Sequence, residues 1–186
     1  NLFIFKTMKN INIKKKLTSN WFRDLRDQLC LMLEKKEHEH GQHEYFFQKK
    51  KWLRDPSNKK DLGGGEISIL RGKIFEKAGV NISTVNGQFS EEFRNQIPGT
   101  TNNPSFWASG ISLVIHPKSP KMPIVHMNTR FIVTEKFWFG GGADITPINK
   151  ISSESKILAD LFHLNFREIC ENYKKGSYME FKEWCD

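Results

Sequence analysis

Cysteine is scarce in this chain: Cys30, Cys170 and Cys185 make three in 186 residues, and none forms a CxxC pair. An odd, unpaired set excludes a disulfide framework and leads us to expect a reduced, intracellular protein, with the cytoplasm as its compartment. Long apolar runs are missing too. No segment reads as a membrane span, and the opening NLFIF is too short for a signal-peptide core. Gly63-Gly64-Gly65 is not followed by Gly-Lys-Ser/Thr, no dinucleotide fingerprint occurs, and no G-x-S-x-G surrounds Ser112. Phosphate-loop, nicotinamide or flavin, and serine-elbow chemistry are therefore excluded.

What is present suits one packed domain. Hydrophobic residues make up 38% and charged residues 27%, and fifteen Phe and five Trp supply much of the core. The net charge of +8 admits nucleic acid, anionic lipid or a small polyanion as partner. Much of the excess sits in Lys14–Lys16, Lys49–Lys51 and Lys59-Lys60, which read as solvated loops or element ends. Aromatic residues do not interleave with them as in a single-strand-binding platform. A basic nucleic-acid-binding module rests on net charge alone, so no nucleic-acid partner is expected.

Residues 1–16 are expected to be a disordered extension, and 17–186 part of a single domain. A helix is expected from Thr18 to about Glu37, with Trp21, Phe22, Leu25, Leu29, Met32 and Leu33 as its core stripe. His38, His40 and His43 in EHEHGQHE read as a polar loop after that helix. Strands are expected over Glu66–Arg71 and Val80–Val85. Ser90 caps a short helical turn. Two long strands follow, Ala108–His116 and Ile124–Thr134, joined by PKSPKMP, whose prolines prevent pairing there. Ser152 and Ser153 open a long helix to about Tyr173, and a last helix covers Ser177–Cys185. Strands in the middle with helices at both ends argue an α+β fold with a large antiparallel sheet flanked by helices.

Side chains alternate faces along a strand. Ser112 and His116 then share a face of the first long strand, and His126, Asn128 and Arg130 share a face of the second. A hairpin turning at Ser119–Lys121 sets His116 near His126 and Ser112 near Arg130. Solvent faces prefer Lys, Glu and Thr, and this strip has none, so it is the candidate site. Arg130 offers a planar fork for a carboxylate. His126 can move protons near neutral pH. Ser112 and Asn128 can orient a ligand. Gly140–Gly142 let backbone approach a ligand closely, and Asp144 can accept N–H bonds or act as a base.

The segments RGKIFEKAGVNISTVNG, ISLVIHP, PIVHMNTRF and WFGGGADITP closely resemble oxygen-dependent coproporphyrinogen III oxidases. The likeness extends back to LTSNWFRDLRDQLC and forward through FHLNFREIC to FKEWCD. It implies a homodimer that converts two propionates of coproporphyrinogen III to vinyls in haem biosynthesis. Molecular oxygen is the oxidant, and carbon dioxide and hydrogen peroxide are released with protoporphyrinogen IX. It implies no organic cofactor. By position, Ser112 is implied as a substrate contact, Asn128-Thr129-Arg130 as the substrate-binding tripeptide, and His126, Arg130 and Asp144 as catalytic. His116, His126 and His163 are implied as ligands of a divalent metal cation. Family members continue past FKEWCD, so a C-terminally truncated domain is expected, with an inactive N-terminal fragment as the alternative.

Overall fold

The computed structural model describes every residue except 1–4, 6–8, 40–43, 58, 95, 150, 151 and 186. His40 and His43 thus lie outside the described residues. Among the described residues the elements follow in order: helix α1 (Ile11–His38), strands β1 (Gln48–Leu53), β2 (Gly63–Leu70) and β3 (Phe75–Gln88), and the short helix α2 (Glu91–Arg94). Then come β4 (Ser105–Pro117), β5 (Ile124–Val133), β6 (Phe137–Thr146), α3 (Ser153–Tyr173) and α4 (Ser177–Cys185). The six strands form one sheet in sequential order, every neighbouring pair antiparallel. This is the expected α+β architecture.

Two strands were not expected. β1 carries Lys49–Lys51, and β6 carries the glycines that the sequence suggested as a loop. Both are edge strands, where lysines and glycines are tolerated because one side of the ladder is unpaired. Gly63–Gly65 likewise lie inside β2 rather than before it. A Cβ on Gly64 would collide with the Trp52 carbonyl, and one on Gly141 with the Asn128 carbonyl. These glycines mark places where neighbouring backbones approach too closely for a side chain.

Helix α1 starts at Ile11, not Thr18, which corrects the expected disordered stretch from that residue onward. Asn10 is the cap: its side-chain carbonyl accepts from the backbone N–H of Asn12 at 2.9 Å and of Ile13 at 3.3 Å. The face that α1 buries runs Lys14, Thr18, Phe22, Arg26, Cys30, Leu33 and Glu37, close to a strict four-residue spacing. Trp21 and Met32 of the expected stripe are exposed instead. Polar residues hid the true stripe because each is satisfied inside. The Lys14 ammonium sits 3.9 Å from the Phe137 ring centre and 5.1 Å from that of Phe5. Thr18 donates to the Lys14 carbonyl at 2.8 Å, and Arg26 pairs with Glu66 and Asp27.

The core lies between this face and one side of the sheet. Phe22, Cys30 and Leu33 meet Leu70, Ala78, Val80, Ile111, Leu113, Phe131 and Val133. Burial pushes the Cys30 thiol up to about 11. We therefore expect a thiol reagent at neutral pH to label exposed Cys185 in the native protein and Cys30 only after unfolding, read by mass spectrometry of peptides.

Helices α3 and α4 pack on each other. Ser152 caps α3, Ser155 Oγ donates to the Lys121 carbonyl at 3.0 Å, and Ser177 Oγ donates to the Cys170 carbonyl at 2.8 Å. Glu171 accepts from the Gly176 N–H at 2.8 Å, which fixes the turn between them. Ile157, Leu161, Leu164, Ile169 and Trp184 remain exposed. No helix among the described residues is long and apolar enough to cross a membrane.

Candidate active site

Because α1 covers one side of the sheet, alternation decides what the other side shows. Ile111, Leu113 and Phe131 turn inward to α1. Their neighbours Ser112, Asn128 and Arg130 turn to the open side. Three rows cross this face. The first is Trp52, Gly65, Ser83, Gly110, Arg130 and Gly140; the second is Ile67, Asn81, Ser112, Asn128 and Gly142; the third is Ile69, Gly79, Val114, His126 and Asp144.

The register corrects two expected contacts. Ser112 faces Asn128 rather than Arg130, and His126 faces Val114 rather than His116. The pairing is slipped by two residues, which preserves the face of every side chain but changes its neighbour. His116 lies past the last β4–β5 pair, Ile115 with Val125, and is in register with Lys77 of β3.

Two polar pairs organise the face. Arg130 Nη2 donates to Asn128 Oδ1 at 2.8 Å, which holds the guanidinium over the β5 backbone with its other donors free for a ligand. His126 Nδ1 lies 3.0 Å from Asp144 Oδ2, on the directly opposing residue of β6. A carboxylate at that nitrogen favours an Nδ1–H tautomer and leaves Nε2 toward the open side. The pairing exists because the glycine segment is a strand: as a loop it would not bring Asp144 opposite His126.

Ser112, Asn128 and Arg130 line a depression of about 320 Å³ with Trp52, Asn81, Ser83 and Gly110. The last four were not singled out from the sequence. Asn81 and Ser83 were readable as one face of their strand, but only the pairing of β3 with β4 sets them beside Ser112 and Gly110. Thr129 borders the same depression, but not with its side chain. By alternation its side chain faces α1, where it lines an apolar pocket with Leu17, Trp21 and Phe139.

The three histidines implied as metal ligands are not brought together. His163 Nδ1 is 3.1 Å from the Tyr178 hydroxyl, a bond between α3 and α4. Among the described residues no three His, Cys, Asp or Glu side chains converge as a metal site would require.

A small-residue floor, a braced arginine and a histidine–aspartate pair share one face of an antiparallel meander, and the arginine can take a carboxylate there. The family model of coproporphyrinogen III oxidase matches residues 17–186. The chain belongs to the coproporphyrinogen III oxidase family. It is 48% identical over 172 residues to the oxygen-dependent coproporphyrinogen-III oxidase of Rickettsia akari (strain Hartford), covering 92% of this chain and 60% of that protein. The namesake of Rickettsia rickettsii (strain Sheila Smith) is 46% identical over the same shares. That of Rickettsia bellii (strain RML369-C) is 46% identical over 176 residues, again 60% of its length. The chain thus spans about three fifths of the relatives it matches, and every element from α1 to α4 lies wholly or mostly within the coproporphyrinogen III oxidase match.

Proposed function

We propose that this chain carries the substrate face for oxygen-dependent oxidative decarboxylation of coproporphyrinogen III to protoporphyrinogen IX, a step of haem biosynthesis. The observation that supports the reading most is the braced Arg130 and the His126–Asp144 pair on one open, small-residue face. Each propionate, with one O2 and one proton, becomes a vinyl group, CO2 and H2O2. The carbon chain loses two electrons and O2 gains them, so no organic cofactor is required.

Arg130 takes a propionate carboxylate in its planar fork, and Asn128 fixes the angle of that fork. Ser112, directly opposite Asn128, offers a hydroxyl to the same ring edge. One oxygen of Asp144 holds His126, and the other is free to accept a pyrrole N–H. His126 then moves a proton at Nε2, the nitrogen not engaged by Asp144. Assembly as a homodimer belongs to the same proposal; the exposed Ile157, Leu161, Leu164 and Trp184 are a surface that association would cover.

The test is anaerobic mixing of this chain with coproporphyrinogen III, then admission of oxygen and chromatography of the oxidised porphyrins. Protoporphyrin above the protein-free control supports the reading; absence of both binding and product sinks it. Within that assay His126→Ala is expected to lower turnover by about 100-fold, with tetrapyrrole affinity held within a few-fold. A parallel loss of affinity would assign His126 to binding instead of proton transfer.

A further inference from the structure

The first row of the open face has two different ends. Arg130 stands on β5 and Trp52 on β1, and between them lie only Gly65, Ser83 and Gly110. Four strand spacings separate the two backbones, about 19 Å. Neither glycine accepts a side chain. A Cβ on Gly110 would lie 2.8 Å from the Thr129 carbonyl oxygen and 2.9 Å from the Arg130 Cβ. One on Gly65 would lie 2.9 Å from Trp52 Cε2 and Cζ2. The indole therefore lies down across Gly65 and is half-buried, although its neighbours Lys51 and Leu53 are exposed. The depression that Arg130 borders reaches Trp52, while Lys50, on the same face, is exposed and outside that lining.

The geometry points to Trp52 as a specificity-determining contact for the macrocycle, receiving the apolar, methyl-bearing edge opposite the carboxylate that Arg130 holds. This rests on the reading of the open face as a tetrapyrrole-binding face. The discrimination is physical. An indole offers a large apolar surface and one N–H donor, so a methyl placed against it gains contact. A carboxylate placed there loses water and finds no cation at the Trp52 end, because the one cationic lining residue, Arg130, stands at the other end of the row. A ring bearing methyls at this edge is accepted, and one bearing acetates in their place is rejected.

Trp52 also shields Gly65, a purely structural duty that would alter stability without altering preference. Equilibrium titration of this chain with two stable probes, coproporphyrin III (methyls) and uroporphyrin III (acetates at the same positions), separates the two roles. The wild type is expected to prefer coproporphyrin about tenfold or more. Trp52→Ala is expected to weaken coproporphyrin about tenfold and bring the two affinities close together, while Trp52→Phe keeps the preference. Trp52→Leu replaces the alanine variant if circular dichroism shows that the latter does not fold. Preference unchanged, or both porphyrins weakened equally, overturns the role of Trp52. Arg130→Ala is run alongside: if it leaves coproporphyrin affinity intact, the reading of the whole face fails instead, and the two failures are told apart.

Discussion

Replacing Arg130 with alanine is expected to weaken binding of a carboxylate-bearing tetrapyrrole by roughly ten- to thirtyfold. The basis is a charge-assisted hydrogen bond worth about 1.5–2 kcal/mol, the lower part of the usual range because Arg130 is exposed and partly screened by solvent. Arg130→Lys keeps the charge but loses the fork and its brace to Asn128, so its affinity should fall between those of the wild type and the alanine variant. Added salt should weaken wild-type binding more than it weakens Arg130→Ala. Titration of coproporphyrin III followed by its absorbance measures all three. Equal affinity of wild type and Arg130→Ala, with the fold intact by circular dichroism, would remove the carboxylate clamp from the mechanism.

The second large effect lies far from the site. Glu37 closes the last turn of α1, is fully buried, and points its carboxylate into the turn between β2 and β3. It accepts the backbone N–H groups of Lys73 at 2.9 Å, Ile74 at 3.0 Å and Phe75 at 2.8 Å. Gly72 leaves room for it, since a Cβ there would collide with the carboxylate. Glu37→Ala leaves three inward-facing donors without an acceptor and opens a cavity in the same step. We expect a loss of about 3–5 kcal/mol, against a total of roughly 5–15 kcal/mol for a domain of this size. Glu37→Gln keeps one oxygen but turns an N–H pair toward N–H donors, and should cost less than the alanine variant. Urea unfolding measures both; a midpoint for Glu37→Ala within error of the wild type would show that water replaces the carboxylate at no cost. The same bonds orient α1 on the sheet, so the variant should also loosen the packing that leaves the opposite face free for a ligand.

Much of the candidate site is legible in the sequence. Period-two alternation in ISLVIHP and IVHMNTRF is strict, and a side chain's face depends only on its position along its own strand. Ser112, Asn128, Arg130 and His126 therefore sit together on the side away from the core, as expected. Their partners were not legible. A slip of two residues conserves every face, so pattern alone does not distinguish Ser112 facing Arg130 from Ser112 facing Asn128. Thr129 shows the converse: its place in a motif suggested a ligand contact, and alternation sends its side chain to the α1 side.

Local chemistry by itself determined the helices that have caps and periodic stripes, the two long strands, and membership of the coproporphyrinogen III oxidase family through long ordered motifs. Tertiary structure decided what requires a second strand or helix to be present. It turned Gly140–Asp144 into an edge strand, because only pairing with β5 satisfies that backbone, and thereby set Asp144 against His126. It hid Lys14, Arg26 and Glu37 in the core, because ring faces, a carboxylate and three N–H groups from distant segments compensate their lost water. It separated His116, His126 and His163, because three-dimensional distance does not follow from resemblance of position. And it placed Trp52 at the far end of the row from Arg130, since which residues share a row is a property of the register of five strands and of no one of them.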